Sequence, residues 1–264
     1  MSLRKNSISA FFPAYNDAGS IGDIVGKMAR ILPSIADDYE VVVVNDGSQD
    51  GTASLLDGLA HEHPFLRVIH HASNRGYGAA LITGFSKCSK DLIFYTDGDG
   101  QYDVEELPLL LNALTEGVDI VNGYKISRSD PLHRVVLGKA YQHLMRLVFR
   151  LNVRDVDCDF RLFRRNLFDR VELSCDSGVI CVEMIKKFQA NGCRMAEVPV
   201  HHYSRASGSS QFFSPKHLGR VFIQLFSAWW NLIVRKKLSR PEASATLSRV
   251  GGSGYRLKNG ERQP

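Results

Sequence analysis

Short apolar runs alternate with amphipathic segments along the first half of the chain. The runs predict strands at residues 7–13, 39–44, 66–70, 91–96 and 118–122. Apolar positions at helical spacing predict helices at residues 21–32, 51–63, 76–87 and 104–116. Strands that alternate with helices of roughly 10–15 residues are the signature of βαβ units. The pattern therefore predicts an α/β fold with a mostly parallel central sheet flanked by helices.

Dense turn signals follow several of these predicted strands. Residues 45–48 (NDGS) end the second strand, and residues 97–101 (DGDGQ) end the fourth. Ser20 and Asp23 resemble a capping box that would open the first helix. Because ligands on such sheets sit beyond the carboxyl ends of the strands, both turn clusters lie where a ligand is expected.

The second half of the chain has a different pattern. Residues 123–134 are polar and basic without periodicity, which predicts a loop. An apolar stripe over 137–148 predicts a helix, and residues 155–165 predict a turn leading into a short strand. A helix at 179–191 and a strand at 194–203 follow.

One further helix is predicted over residues 215–238, between cations at both ends and with Trp229 and Trp230 adjacent. Two interpretations stay open: its apolar face packs on the body or on a second copy of the chain, or it lies in the plane of a membrane surface. The predicted organisation is a catalytic domain at 1–214, this helix, and a basic, disordered tail at 239–264.

The distribution of charge along the chain supports this division between the body and the tail. The 264 residues carry a net charge of +5, but residues 235–264 alone carry +6 and residues 1–234 carry −1. The basic character therefore belongs to the tail, which argues against a nucleic-acid partner for the body.

Five cysteines without a CxxC pair argue against a disulfide framework or a structural zinc site, and favour reduced thiols. No stretch resembles a secretory leader or a spanning helix. The expected location is the cytoplasm, at the inner face of the membrane.

Asp97, Asp99 and Gln101 form the sharpest chemical motif. In an extended stretch, alternate side chains point the same way, so two carboxylates and an amide oxygen would face one point. That is a hard-oxygen site for Mg²⁺ or Mn²⁺, with room for phosphate oxygens. Gly98 and Gly100 would let a ligand approach the backbone. The alternative is an Asp/Gly-rich turn with solvated carboxylates.

Two other strand ends suggest nucleoside contacts. Asp46 could accept hydrogen bonds from a ribose or a base, Tyr15 could stack on a nucleobase, and Asp17 could bond to the nucleoside. The alternatives are an ordinary Asx turn and a surface tyrosine beside a helix start.

The glycine-rich segment 76–81 (GYGAAL) does not match a dinucleotide fingerprint, because Leu81 occupies the last position and a loop precedes it. It predicts a close-packed helix start, with Asn74 and Arg75 near the ligand cleft. Separately, Lys125, Arg128 and Arg134, with Arg205, could converge on a phosphate, or could form a solvated basic loop.

Taken together, these segments resemble the family 2 inverting glycosyltransferases of GT-A fold, and within them the dolichol-phosphate mannosyltransferase or polyprenyl-phosphate glycosyltransferase group. The blocks that carry the resemblance occur in the family's order over residues 6–215: FPAYNDAGSI, VVVVNDGSQDGT, NRGYGAAL with YTDGDGQYD, and DVDCDFRLFRR with EVPVHHYSRASGSS.

The resemblance implies a Rossmann-like nucleotide-sugar-binding domain and a role for each matching position. The nucleoside pocket would be lined by Pro13, Tyr15, Asp17 and Asp46, with further substrate contacts from Ala14, Asn74, Gly76 and Gly98. Asp97 and Asp99 would hold the sugar nucleotide and its Mg²⁺ or Mn²⁺, with Gln101 as a further ligand. The acceptor side would comprise Lys125, Arg134 and Arg205, and the acidic Asp157 and Asp159.

Two positions depart from the family pattern. Asn45 stands where an acidic residue is usual, which leaves the base preference open, and Asp159 stands where relatives have a small residue. The reaction implied is inverting transfer of a sugar from a nucleoside diphosphate sugar, of GDP-mannose or UDP-glucose type, to a polyprenyl or dolichyl phosphate. Alternatives are a hydroxyl acceptor, with Asp157 or Asp159 as base, or a non-catalytic sugar-nucleotide-binding protein.

Overall fold

The computed structural model describes residues 6–128, 132–204, 215–236 and 238. The strands are β1 (Ser7–Ala14), β2 (Asp38–Asn45), β3 (Leu66–His70), β4 (Leu92–Thr96), β5 (Ile120–Arg128), β6 (Phe160–Arg164) and β7 (Met195–His202). The helices are α1 (Ile21–Ile35), α2 (Thr52–Glu62), α3 (Tyr77–Lys87), α4 (Leu107–Ala113), α5 (Leu132–Phe149), α6 (Ile180–Ala190) and α7 (Pro215–Trp229).

The strands form one seven-stranded sheet in the order β3-β2-β1-β4-β6-β5-β7. β6 is antiparallel to both of its neighbours, and the other pairs are parallel. The predicted α/β fold with a mostly parallel sheet is therefore confirmed. Because β6 runs against the others, its start lies at the same edge of the sheet as the ends of β1, β2 and β4. We call this edge the site edge.

The sheet is covered on both faces, which explains why its inner strands are continuous apolar runs. On one face Phe12 packs in a cluster with side chains of α1 and α4. On the other, Phe11 packs in a cluster with side chains of α3 and α6. With both faces of the inner strands buried, the polar residues that follow them are confined to the site edge.

A third apolar cluster joins α5, α6 and α7. It includes Phe149 of α5, Ile185 of α6 and Ala228 of α7, together with Leu232. The helix beginning at Pro215 therefore packs one face on the body, and it continues as a π-helical turn over Trp230–Val234. In the described ranges, no helix has both the length and the apolar character needed to span a membrane.

The predicted loop over residues 123–134 is wrong. β5 continues to Arg128 and α5 begins at Leu132, so Lys125 lies on a strand and Arg134 on a helix. The reason is non-local, because β5 pairs with β7 along its whole length, as far as Arg128 beside His202. Those hydrogen bonds come from a strand about 70 residues further along the chain, which a local polarity pattern does not reveal.

Two smaller expectations also differ from the structure. Ser20 precedes α1, but its hydroxyl donates to the carbonyl of Gly98 at 2.8 Å and makes no cap bond to the helix, so the capping box is wrong. The helix predicted at 104–116 divides into a 3₁₀ turn, Val104–Glu106, and the short α4. Pro108 explains this division. It has no N–H to donate to the carbonyl four residues earlier, and its ring clashes with that carbonyl in an α-helix.

Candidate active site

The turns after β1 and β2 are held together by hydrogen bonds. The amide of Asn16 donates to the Ser48 hydroxyl at 2.9 Å, and the amide of Asp17 donates to the Thr52 hydroxyl at 3.0 Å. The Asp17 carboxylate accepts from the amide of Tyr15 at 2.9 Å. Tyr15 and Asp17, both predicted nucleoside contacts, therefore lie on one braced turn.

Pro13 and Ala14 take part through their backbone. The carbonyl of Pro13 accepts from the amide of Gly98 at 3.1 Å, and the carbonyl of Ala14 accepts from the amide of Asp46 at 2.9 Å. The end of β1 thus joins the turn that follows β2 to the turn that follows β4. The structure brings these four predicted substrate-binding residues to the site edge.

Asp46 is buried and has partners within the protein. Its carboxylate accepts from the amides of Arg75 and Gly76, each at 2.9 Å, and lies 2.6 Å from Nδ1 of His71. These contacts position the segment before α3. Direct contact of Asp46 with a ribose or base stays a prediction. Sequence reasoning missed His71, whose only signal was a histidine at the end of a strand.

Asn45 occupies the position where the family resemblance leads one to expect an acid. Its Oδ1 accepts from the amide of Ser48 at 3.1 Å, and its Nδ2 lies 2.9 Å from Nδ1 of His70. The Asx turn left open for this segment is therefore made by Asn45, which frees Asp46 for the contacts with residues 71–76.

The glycine-rich segment forms the close-packed helix start that was predicted, and the structure identifies its partner. A Cβ on Gly78 would lie 2.1 Å from the carbonyl oxygen of Cys175, and one on Gly76 would lie 2.5 Å from that of Asp176. Gly76 also has φ +98°, which favours glycine. Asn74 is exposed beside this segment, on the surface of the loop.

Asp97 follows β4 directly and is bound by a tyrosine. The hydroxyl of Tyr77 donates to Oδ1 of Asp97 at 2.7 Å and also contacts the hydroxyl of Tyr95. Burial raises the pKa of Asp97 well above its usual range, and the nearby charges of Asp159 and Asp99 raise it further. Asp97 therefore sits where carboxylates crowd one another.

The turn over residues 97–101 does not continue the strand, so the expected alternation of its side chains is wrong. β4 ends at Thr96, and Gly100 has φ +74°, which turns the chain. Asp99 is buried and accepts from the amide of Gln101 at 3.0 Å. The side-chain nitrogen Nε2 of Gln101 donates to the carbonyl of Tyr203 at 3.0 Å. The side-chain oxygen of Gln101 is therefore the atom that it would offer to a cation.

Asp97, Asp99 and Gln101 are the candidate ligands for a divalent cation. Within the described ranges, no three His, Cys, Asp or Glu side chains form a group that could hold a metal ion. Mg²⁺, however, usually keeps several waters and is bound by one or two carboxylates together with substrate phosphates. Asp97 and Asp99, with like charges crowded in a buried turn, fit a cation that arrives with a diphosphate and do not fit an all-protein cage.

Asp157 and Asp159 reach the site edge from the other direction, just before β6. The Cys181 thiol donates to Oδ1 of Asp159 at 3.2 Å, and Arg161 Nη1 lies 3.8 Å from the same oxygen. Burial raises the pKa of Asp157 to about 7, although the charge of Lys125 lowers it. The structure thus places Asp159, a predicted acceptor-side acid, close enough to the predicted donor-side Asp97 for their charges to interact, with Asp157 on the same segment.

Arg161 is a site residue that the sequence reasoning missed. It is fully buried, and its guanidinium donates to Oδ1 of Asn122 at 2.7 Å and to the carbonyl of Val156 at 2.5 Å. In the sheet it lies beside Tyr95 of β4 and Asn122 of β5. The available signal was a charged residue between the apolar Phe160 and Leu162 in the segment that forms β6.

Of the predicted phosphate-binding cations, the structure locates one side chain. Nζ of Lys125 donates to the carbonyl of Asp157 at 2.6 Å and lies 3.8 Å from Oδ2 of Asp155. It therefore belongs with the acidic segment before β6. Arg134 lies in the first turn of α5, its side chain outside the described part, and Arg205 lies outside the described residues.

Comparison with known proteins adds the family context. The sequence model described as "Glycosyl transferase family 2" matches residues 9–172. The chain is 30% identical over 217 residues to the undecaprenyl-phosphate 4-deoxy-4-formamido-L-arabinose transferase of Yersinia enterocolitica, covering 81% of this chain and 65% of that protein. It is 31% identical over 211 residues to the polyprenol monophosphomannose synthase of Mycolicibacterium smegmatis, covering 75% and 78%. The chain thus spans about two thirds of the length of the arabinose transferases that it matches.

Solved structures agree on the fold. Glucosyl-3-phosphoglycerate synthase from Mycobacterium tuberculosis, in complex with Mn²⁺, uridine diphosphate and phosphoglyceric acid, superposes with a TM-score of 0.66 at 18% sequence identity. The match covers 86% of this chain and 78% of the other. At this identity the likeness establishes the architecture alone.

Proposed function

The chain belongs to glycosyl transferase family 2, and we propose that it transfers a sugar from a nucleoside diphosphate sugar to a polyprenyl phosphate. The observation that carries the proposal is the meeting of two acidic pairs at one sheet edge. Asp97 and Asp99 arrive from β4, while Asp157 and Asp159 lie before β6. The relatives named for undecaprenyl phosphate and polyprenol support the lipid acceptor.

On the donor side, the braced turns would receive the nucleoside. Tyr15 and Asp17 lie on the turn after β1, and Asp46 anchors the segment before α3. Asp99 and Gln101, with Asp97, would hold Mg²⁺ or Mn²⁺ together with the diphosphate. When bound, such a cation neutralises the charge that develops on the leaving diphosphate.

On the acceptor side, the nucleophile is a phosphate oxygen that is already anionic at neutral pH. The task of the protein is then to hold it in line with the donor, and no strong base is needed. Lys125 is the one predicted phosphate-binding cation whose described side chain contacts the acidic segment. Arg134 and Arg205 would complete the phosphate site.

A hydroxyl acceptor remains the second candidate because of one observation. The pKa of Asp157 is raised by burial to about 7, which suits a general base that works near neutral pH. A hydroxyl nucleophile needs such a base, whereas a phosphate does not.

We also propose that α5 and α7 seat the protein on a membrane surface. Both helices, and the π-helical turn that follows α7, pack one face in the third cluster and expose large apolar side chains on another. The exposed residues are Leu144, Leu147, Phe222, Ile223, Phe226 and Trp230. Exposed apolar area on this scale usually marks an interaction surface. This supports peripheral association, at the cytoplasmic face, through the apolar helix that begins at Pro215.

Cations lie at one end of this apolar surface. Gln189, near the end of α6, donates to the carbonyl of Arg150, and the neighbouring Asn191 donates to that of Leu238. The segment after α5 and the segment after α7 therefore both contact the end of α6. Exposed cationic residues lie near the end of α5, at Arg146 and Arg150, and after α7, at Arg235 and Lys236. Apolar side chains rimmed by cations are the composition of a helix that lies in an anionic membrane surface.

The direct test of the reaction is an assay with a panel of nucleotide sugars and polyprenyl phosphate, read by the mass of the lipid product. A glycolipid formed with Mg²⁺ or Mn²⁺ and lost with EDTA is expected. Transfer to soluble hydroxyl acceptors only would favour the second candidate. No transfer to any acceptor would overturn both.

For the membrane proposal, flotation with vesicles that contain anionic lipid is the measurement. Phe226→Ser should lower the bound fraction about tenfold, since a large apolar side chain contributes roughly 1.5–3 kcal/mol when buried. Leu109→Ser, which changes an exposed leucine on α4, serves as the matched control and should leave binding unchanged. Equal binding of both variants would contradict the proposal.

A further inference from the structure

Tyr77 lies at the start of α3, where the backbone amides on both sides of it and its own ring are held by contacts. The preceding amide, of Gly76, donates to Asp46, and the following amide, of Gly78, donates to the carbonyl of Asp176 at 2.9 Å. The backbone on both sides of Tyr77 is therefore fixed. Its ring packs against the apolar cluster under α3, so the position of its hydroxyl is set by the fold.

That hydroxyl ends at the first acid of the 97–101 turn. It donates to Oδ1 of Asp97 at 2.7 Å and contacts the hydroxyl of Tyr95, which is fully buried in β4. With Oδ1 held from this side, the rotation of the Asp97 carboxylate is restrained.

We propose that Tyr77 is a positioning residue, which holds the Asp97 carboxylate in the orientation that meets the sugar nucleotide. The proposal deepens the donor site proposed above and depends on it. Asp97 is followed by glycine and stands among other carboxylates, Asp99 and Asp159, whose charges repel it. A hydrogen bond from a fixed phenol offsets that repulsion and gives the side chain one orientation.

Two matched variants isolate the hydroxyl. Tyr77→Phe keeps the ring and removes the bond to Asp97, while Tyr95→Phe keeps that bond and removes only the contact behind it. The measurement is the Kd of the full chain for uridine or guanosine diphosphate with Mn²⁺, by titration calorimetry. Tyr77→Phe should weaken binding about tenfold or more, as expected for a hydrogen bond to a charged group, and Tyr95→Phe less than threefold. In turnover assays, Tyr77→Phe should raise the donor KM and leave the acceptor KM unchanged.

A double variant separates positioning from packing. If Tyr77 acts through Asp97, then adding Tyr77→Phe to Asp97→Ala should not weaken diphosphate binding further. Equal losses in the two phenylalanine variants, or a lowered melting temperature with unchanged diphosphate affinity, would assign Tyr77 to packing alone and overturn the proposal. If the unaltered protein binds neither diphosphate with Mn²⁺, the donor site itself is overturned, and the role of Tyr77 with it.

Discussion

The proposed donor and acceptor halves of the site edge are built by different interactions. On the donor side, carboxylates accept hydrogen bonds from backbone amides, as Asp17 does from Tyr15 and Asp99 from Gln101. On the acceptor side, acids face cationic side chains, as Asp155 faces Lys125 and Asp159 faces Arg161. The two halves meet where the charges of Asp97 and Asp159 interact.

The difference shows how each half can respond to a ligand. Backbone amides are fixed by the fold, so a carboxylate bound to them has one geometry before any ligand arrives. Side-chain cations in a buried setting must compensate charges that are costly to bury, and their balance changes with pH and with an incoming phosphate. The donor half is therefore preshaped at Asp17 and Asp99, whereas the acceptor half, like Asp97 where the two halves meet, is sensitive to charge.

The largest expected effect is on the donor half. Asp99→Ala should lower turnover about a thousandfold, because an electrostatic contact that strengthens in the transition state is worth roughly 3–4 kcal/mol, while the melting temperature falls by only a few degrees. Metal-dependent sugar transfer and thermal unfolding are the measurements. Asp23→Ala, which removes an exposed carboxylate on α1, is the control. Retained turnover in Asp99→Ala would remove the proposed metal role.

A second prediction concerns how much the buried contacts of Asp46 stabilise the fold. Asp46→Ala leaves His71 and two amides without their buried acceptor, and should lower the free energy of unfolding by about 3 kcal/mol. Asp57→Ala removes the exposed partner of His70 and should cost less than about 1 kcal/mol. The free energies of unfolding of the two variants are measured by urea unfolding. Similar losses in both would mean that the buried Asp46–His71 pair stabilises the fold no more than the exposed Asp57–His70 pair.

The smallest expected effect is on the acceptor half and depends on pH. Burial raises the pKa of Asp157 from its usual value of about 4 to about 7, so between these values the folded state binds a proton that the unfolded state has released. Stability should therefore fall as the pH rises from about 4 to 7. Asp157→Asn should remove that fall and raise the free energy of unfolding at pH 8 relative to the unaltered protein.

The measurement is urea unfolding of both proteins at pH 4.5 and pH 8. A difference of the same size at both pH values would contradict the raised pKa. Activity of the same variant sharpens the comparison further. Lipid-phosphate transfer should persist in Asp157→Asn, whereas transfer to a hydroxyl should be lost if Asp157 is its base.

The sequence predicts the inner sheet well for a physical reason. β1, β2 and β4 are buried on both faces, and such strands are continuous apolar runs bounded by turns. The same turns predict where the donor acids lie. The far half of β5 could not be predicted, because its polar residues are held by pairing with β7, which is remote in the sequence.

The hydrogen-bond partners of the candidate site residues could not be predicted from the sequence. Tyr77 and His71 come from segments far from the acids they contact, and no local spacing connects them. The 97–101 turn was placed correctly, but its geometry was not, because Gly100 takes the chain out of the extended conformation. Arg161 was also missed, although a charged residue between apolar neighbours in a short strand indicates that a partner must lie nearby.

The reversed direction of β6 has a consequence for engineering this enzyme family. The donor acid Asp97 lies on a turn after its strand, whereas Asp157 and Asp159 lie on the connection that enters β6. That connection begins where α5 ends and is anchored by buried Leu151, Val153 and Val156. Residues 150–159 could therefore be exchanged between relatives as one segment, provided that these apolar anchors are kept. Such an exchange would replace both proposed acceptor acids together and leave the proposed donor turns unchanged.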